Sequence, residues 1–305
     1  MTPKDITQHI KRLAKEVGFD AVGIAKAEPL TDTDLRLKQW IEKDYHGEMN
    51  FFLRNHNKRI NPELVLPGCR SVVVLLINYR SPLVKSWISE YGRSKDYHVV
   101  VKELIRDLLS RLKSTFKIDI PNHIFCDSSS LMEKVWATKA GLGMQGKHTL
   151  LINPDLGTKF FIGGFLTSIE AEPTLSNPSN MCEDCRLCID NCPTQALAEP
   201  GILDARKCIS YQTIENKGNI PEEIKKSMTE SIFGCDICQN VCPWNNSHSM
   251  AFSRFFEALP YASWDIDQWT HLTKKSFDSD CKGSAMYRTG FEKITATAQI
   301  LKKIN

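Results

Sequence analysis

No apolar run in the 305-residue chain reaches eighteen residues, so no membrane-spanning helix is expected. A secretory leader is not expected either, because charge interrupts the opening MTPKDITQHIKRLAKEVG throughout. No Walker phosphate loop occurs, and no G-x-G-x-x-G sits where a strand turns into a helix. The glycines Gly141, Gly143 and Gly146 of GLGMQGKHT follow a helical stretch instead, so a helix stop and turn is a better reading than a phosphate cradle. Charge of one sign is not in excess either. The 39 Lys and Arg against 36 Asp and Glu leave +3, which permits an anionic partner without demanding one.

What the chain does have is cysteine in a special arrangement. Residues 182–193 read CEDCRLCIDNCP, which is the C-x2-C-x2-C-x3-C-P run of bacterial ferredoxins. A second copy is opened by an insertion: Cys208 stands alone, and Cys235, Cys238, Cys242 and Pro243 complete the same ending. Structural zinc takes paired C-x2-C knuckles and has no use for this spacing twice over, and clustered cysteines in a chain without a leader argue against disulfides. Two [4Fe-4S] clusters are therefore expected. Three closely spaced thiolates hold one cubane while the fourth, displaced past a loop, reaches the other. The ligand sets then cross over: Cys182, Cys185, Cys188 and Cys242 for one cluster, and Cys192, Cys208, Cys235 and Cys238 for the other. Cys69, Cys126 and Cys281 read as small buried hydrophobes.

Around this array the pattern is α+β. Ile6, Ile10, Leu13 and Val17 mark an amphipathic opening helix, with Thr2 as N-cap, Pro3 at its first position, Asp5 closing a capping box and Gly18 as its stop. AVGIA (21–25), SVVVLLIN (71–78) and HIFCD (123–127) read as strands, and Val101, Ile105, Leu108, Leu112 and Phe116 form the stripe of a helix near 98–117. In SSSLMEKVWATKAG the serines are expected to cap a helix that Gly141 ends. HTLLIN and KFFIGGFLT, joined by PDLGT, read as an antiparallel hairpin, which points to a mixed sheet. The expected organisation is an N-terminal α/β domain over 1–170, a linker-led two-cluster domain over 171–247 and a helical appendage over 248–305.

Two adjacent clusters form a wire, so some 170 preceding residues are expected to hold the electron acceptor. Asp127 is the pointed candidate there, at a strand end beside a helix start, with a capping carboxylate as the alternative. Asp96 and His98 in KDYHVVVK approach one cobalamin motif, D-x-H-x-x-G, but Val101 stands at its glycine position.

The combination of CEDCRLCIDNCPTQAL, CISYQTIENKGNIPEEI and FGCDICQNVCPWN with HGEMNFF, DYH, CDSSSLMEK and QGKHTLLINP resembles the epoxyqueuosine reductases over about residues 40–250. That resemblance implies a cobalamin-binding domain, two [4Fe-4S] clusters, and reduction of the epoxide on the wobble nucleoside of tRNA to a cyclopentene. It implies Asp127 as proton donor, with Asp127, Lys147, His148, Ser210 and Asp236 approaching the cobalamin and Tyr211 to Lys217 near tRNA. It further implies an external low-potential electron donor of flavodoxin or ferredoxin type, a cytoplasmic location and a monomer. A cobalamin-dependent reductive dehalogenase of small organohalides is the alternative, and a non-enzymatic electron carrier a third reading. Two departures stand out: Ser130 replaces the proline that commonly follows D-S-S, and the chain reads as a short form without the C-terminal HEAT-like domain of many members. Its positive surface is then expected from Arg54, Lys58 and Arg59, or from Lys302 and Lys303.

Overall fold

The structure, a computed structural model, describes residues 1–82, 85–174, 180–246 and 252–304. Part of the expected linker, 175–179, and the start of the expected appendage, to 251, lie outside the described residues. The opening helix runs Pro3–Val17 with the expected cap: the Thr2 side chain accepts from the Asp5 N–H, Asp5 answers it, and Gly18 ends the helix at φ 122°. A long helix, Tyr97–Phe116, is capped by Asp96, whose carboxylate accepts the His98 N–H.

A four-stranded sheet is built from β1 (Ala21–Lys26), β2 (Ser71–Asn78), β3 (Asn122–Phe125) and, further on, β6 (Phe160–Thr167). The short β4 (Met144–Gln145) and β5 (Leu151–Ile152) lie outside it. Strand β2 is apolar on both faces and alternates strictly between two cores. Val73, Leu75 and Ile77 face the helices Pro3–Val17 and Tyr97–Phe116, and Val72, Val74 and Leu76 face Leu131, Trp136 and Ala140.

The α+β class holds, but the sheet is antiparallel in every ladder rather than mixed. Its order is β1-β2-β6-β3, so the crossover pair β2 and β3 run parallel to each other with β6 interposed. The expected hairpin of 148–153 with 159–167 does not form. Strand β6 is apolar on both faces and occupies the sheet interior, where β2 and β3 take both its edges, and Leu151–Ile152 pairs back onto Met144–Gln145 instead. Close packing on β6 depends on Gly163, where a Cβ would come 2.6 Å from Val101 Cγ1 of the long helix.

A third core joins distant segments. Ile209, Ile220, Ile224, Met228, Ile232 and Phe233, from the insertion between Cys208 and Cys235, pack with Tyr261, Trp269, Phe277, Met286, Ile294 and Leu301. The C-terminal residues thus bury the insertion, and an isolated bridge between Ile88 and Phe233 helps tie it to the N-terminal half. No described helix is long and apolar enough to cross a membrane. Cys69, Cys126 and Cys281 are buried as expected.

Candidate active site and cluster centres

Asp127 lies two residues past the end of β3 at φ 60°, a left-handed conformation that aspartate tolerates better than most residues. It caps no helix. The next helix, Glu133–Lys139, begins six residues later with Met132 at its N-cap and no side-chain cap, so the expected capping serines do not cap. Those serines instead fix the loop: Lys102 Nζ donates to Ser128 Oγ at 2.7 Å and His123 meets Ser129 Oγ at 3.0 Å. The loop is closed by the Asp127 N–H donating to Glu133 Oε1 at 2.6 Å.

The Asp127 carboxylate is met from one side by the start of the long helix. Tyr97 Oη donates to Asp127 Oδ2 at 2.9 Å, and His98 Nε2 lies 3.1 Å from the same oxygen. The other imidazole nitrogen, Nδ1, lies 2.7 Å from Asp96 Oδ1. The Asp127 side chain is 57% exposed on its other side, so a group can be laid against it without breaking one of these bonds. Crowding by protein raises the Asp127 carboxyl, but the His98 hydrogen bond and charge, the Tyr97 hydroxyl and Arg288 outweigh it and hold the group below the ordinary carboxylate value. Burial lowers the His98 imidazolium while Asp127 and Asp96 more than reverse this, pushing it up to about 9. Burial and the Asp127 charge push Glu133 up to about 8. The contact between the two side chains thus holds the Asp127 carboxyl down and the His98 imidazolium up.

The eight expected cluster cysteines fall into the two expected groups. Cys182, Cys185, Cys188 and Cys242 line one cavity of about 360 Å³ together with His148, Met181 and Trp244. Burial raises the thiols of Cys208, Cys235 and Cys238, and the nearness of Cys192 to Cys208 and Cys235, and of Cys208 and Cys235 to Cys238, adds to it, which brings the four together. Cys238 also feels Cys188, which sets the two groups side by side. Among the described residues no three His, Cys, Asp or Glu side chains converge on one ion. A cubane does not require that, since each thiolate grips a different iron. The cavity and its four thiols fit such a group, and the Ala196 N–H donating to Cys192 Sγ at 3.3 Å is of the kind that tunes one.

The remaining expected contacts lie mostly between these centres. Lys147 Nζ donates to the carbonyls of Glu183 and Cys185 at 2.7 and 2.8 Å, which pins the first cysteine loop to the turn after the glycines. His148 is buried beside the first cavity, accepts the Leu150 N–H at Nδ1, and among the described residues has no partner at Nε2. Burial and Lys134 push its imidazolium down to about 4. Asp236 accepts the Glu90 N–H at 2.6 Å, and Ser210 is partly buried in the helix Ile209–Ile214. Tyr91 feels both Asp127 and Asp236, so it stands between the cleft and the second cysteine group.

One expectation about the surface fails. Arg59 is buried, with its guanidinium 4.7 Å from the Phe52 ring centroid, whereas Lys302 is exposed, its Nζ paired with Asp267 at 2.6 Å. Tyr211 is also buried, its hydroxyl oxygen accepting the Glu48 N–H at 2.7 Å, whereas Lys217 is exposed. Residues that sequence reasoning missed are Tyr97, Glu133, Arg288 and the role of His98. For His98 the signal was present, since Asp-x-His at a helix start puts the imidazole next to the cap.

An α+β scaffold carrying two adjoining four-cysteine centres beside an acid-imidazole cleft defines an iron-sulfur oxidoreductase. Residues 181–245 match the 4Fe-4S double cluster binding domain, and residues 59–128 match the family model described as epoxyqueuosine reductase QueG. The chain belongs to the epoxyqueuosine reductase family. It is 38% identical to the epoxyqueuosine reductase of Cyclobacterium marinum, over 97% of this chain and 96% of that one. It is 34% identical to that of Escherichia coli over 93% of this chain and 77% of the relative. A solved epoxyqueuosine reductase holding an epoxyqueuosine-modified tRNA-Tyr stem loop matches at TM-score 0.90 and 27% identity, over 98% of this chain and 81% of that one. A Bacillus subtilis epoxyqueuosine reductase, solved with an aspartate-bearing catalytic loop swung out of its active site, matches at TM-score 0.89 and 26% identity, over 98% and 82% of the two chains. Likeness to a catabolic reductive dehalogenase stops at TM-score 0.48 and 18% identity, too slight to support the dehalogenase alternative.

Proposed function

We propose that this chain reduces epoxyqueuosine to queuosine at the wobble position of tRNA, with Asp127 as the group that protonates the departing oxygen. The observation that carries this reading is the Asp127 carboxylate, tied to His98 and Tyr97 on one side and open on the other. Turning an epoxide into an alkene takes two electrons and two protons and releases water. Asp127 holds and moves the proton at Oδ2, and the Tyr97 hydroxyl fixes that oxygen's direction. Cobalamin, when bound, supplies the low-potential cobalt centre through which electrons reach the substrate carbon. We assign Asp127 and Ser210 to the cleft where it lies. Lys147, His148 and Asp236 join the cysteine loops to the N-terminal domain and line the route of the electrons.

The thiolates of Cys182, Cys185, Cys188 and Cys242 hold one [4Fe-4S] cluster and those of Cys192, Cys208, Cys235 and Cys238 the other. Functionally the chain divides into an acceptor domain (1–170), a wire (171–247) and a C-terminal segment (248–305) that buries the insertion. An external low-potential donor of flavodoxin or ferredoxin type feeds the wire, the protein acts as a cytoplasmic monomer, and exposed Arg54, Lys58 and Lys217 contribute to the tRNA-facing charge. Incubating the reduced, cobalamin-loaded protein with epoxyqueuosine tRNA and analysing the digested nucleosides by mass spectrometry tests the reading. Queuosine is the expected product; no queuosine, with turnover of an organohalide, would overturn it.

A further inference from the structure

We propose that His98 is the store of the proton that Asp127 delivers, with Asp96 as the residue that positions it. This rests on Asp127 being the donor. The geometry is an unbroken line: Asp96 Oδ1 to His98 Nδ1 at 2.7 Å, and His98 Nε2 to Asp127 Oδ2 at 3.1 Å. The line is held rigidly. Asp96 is at once the N-cap of the long helix and the acceptor of the His98 ring, so helix start and imidazole orientation are set by one carboxylate. The Tyr97 ring stacks on the imidazole with centroids 4.1 Å apart, and His98 is only 20% exposed.

The groups facing His98 decide where its proton rests. Asp96 and Tyr97 come from its own helix, Asp127 from the loop after β3, and Glu133 from the helix beyond it. Arg288, from the C-terminal segment, acts on both flanking carboxylates and is itself paired with Glu215 at 2.8 Å. Two carboxylates against one imidazolium favour the proton on His98, whereas Asp127 alone would be an ionised carboxylate at neutral pH, with no proton to give. Tyr97 cannot take this part, because burial and the Asp127 charge push its phenol far up.

The chemistry balances as follows. The Nε2 proton of His98 passes to Asp127 Oδ2 and from that carboxyl on to the epoxide oxygen as the first C–O bond breaks. A second proton, taken up from solvent and passed through the same pair, lets the second C–O bond break with release of water. The carbon–carbon double bond forms with the two electrons that the iron-sulfur wire delivers from the external donor, which is oxidised.

The test compares His98→Gln with the wild-type holoenzyme by the pH dependence of kcat/KM. Glutamine keeps a donor to Asp127 but stores no proton. Wild type is expected to be level from about pH 6 to pH 8 and to fall above about 9, where the imidazolium is lost. The variant is expected to fall about tenfold per pH unit across pH 6 to 8, because only the small protonated fraction of Asp127 is active. A purely structural role would lower the level and leave the shape unchanged, and that result would overturn the proposal. An independent reading comes from the protein without cobalamin: the His98 ring, followed by NMR of labelled histidine, should titrate near 9 in wild type and lower in Asp127→Asn. A His98 ring titrating below 7 in wild type would also overturn it. Failure of the underlying reading looks different, since Asp127→Asn would then be active at every pH.

Discussion

Glu133 Oε1 accepts the Asp127 backbone N–H at 2.6 Å, and this bond holds Asp127 in its left-handed conformation at the end of β3. The carboxyl is raised to about 8 by burial and by the nearby Asp127 charge. A carboxyl whose folded value lies above its unfolded one binds more protons in the folded state. Its neutral form therefore favours folding fully at low pH, and that advantage is lost as pH rises from about 4.5 to about 8. Glu133→Gln keeps an acceptor for the Asp127 N–H and removes the titration. The variant should gain stability relative to wild type between pH 5 and pH 8.5 in paired denaturant melts; an unchanging difference across that range would contradict the assignment.

Cys208 stands alone in sequence yet neighbours Cys192 and Cys235 in space. In Cys208→Ser, reconstituted iron should drop from about eight to about four per chain, leaving the cluster at Cys182, Cys185, Cys188 and Cys242 intact by electron paramagnetic resonance. Loss of that cluster instead would refute the crossed pairing.

Lys147 spends its ammonium on two carbonyls of the first cysteine loop. Lys147→Met should cost about 1–2 kcal/mol, the range for losing hydrogen bonds to a charged group that is partly open to water. A chelator should bleach the first cluster sooner in this variant than in wild type, while the second bleaches at its wild-type rate. Equal bleaching of both clusters would count against the anchoring role.

Trp269 is fully buried where the C-terminal segment packs on the insertion. Trp269→Ala should lower stability by about 3–5 kcal/mol. Because Ile209 and Phe233 of that core flank Cys208 and Cys235 in the chain, the second cluster should load poorly at temperatures where the first still forms. Normal loading of both clusters would show that the C-terminal segment does not support the second site.

Elements set by short-range pattern were legible before the structure. Thr2 and Asp5 specify the first helix, the apolar run 72–77 specifies β2, and the x2, x2, x3 spacing with Cys-Pro, together with its opened copy, marks the cluster cysteines. What failed depended on partners far along the chain. The expected hairpin does not form because a run apolar on both faces, such as 160–166, says nothing about which strands take its two edges, and β2 and β3 take them. Arg59 looks like surface charge in sequence but is buried beneath Phe51 and Phe52, with its guanidinium held by ring faces and the Phe51 carbonyl. Asp127 was found, but its link to His98 was not, because nothing within 29 residues of chain signals that the long helix starts against the β3 end.

Asp127→Asn addresses the donor role most directly, since asparagine suits the left-handed backbone and retains an acceptor for Tyr97 while being unable to give a proton. The measurement is single-turnover conversion of epoxyqueuosine tRNA to queuosine tRNA, quantified by mass spectrometry, in wild type and variant matched for iron and cobalamin content. The expected result is a fall of roughly 100-fold or more with both cofactors in place, the range for losing a general acid. Wild-type conversion by the matched, fully loaded variant would contradict the assignment of Asp127 as the proton donor.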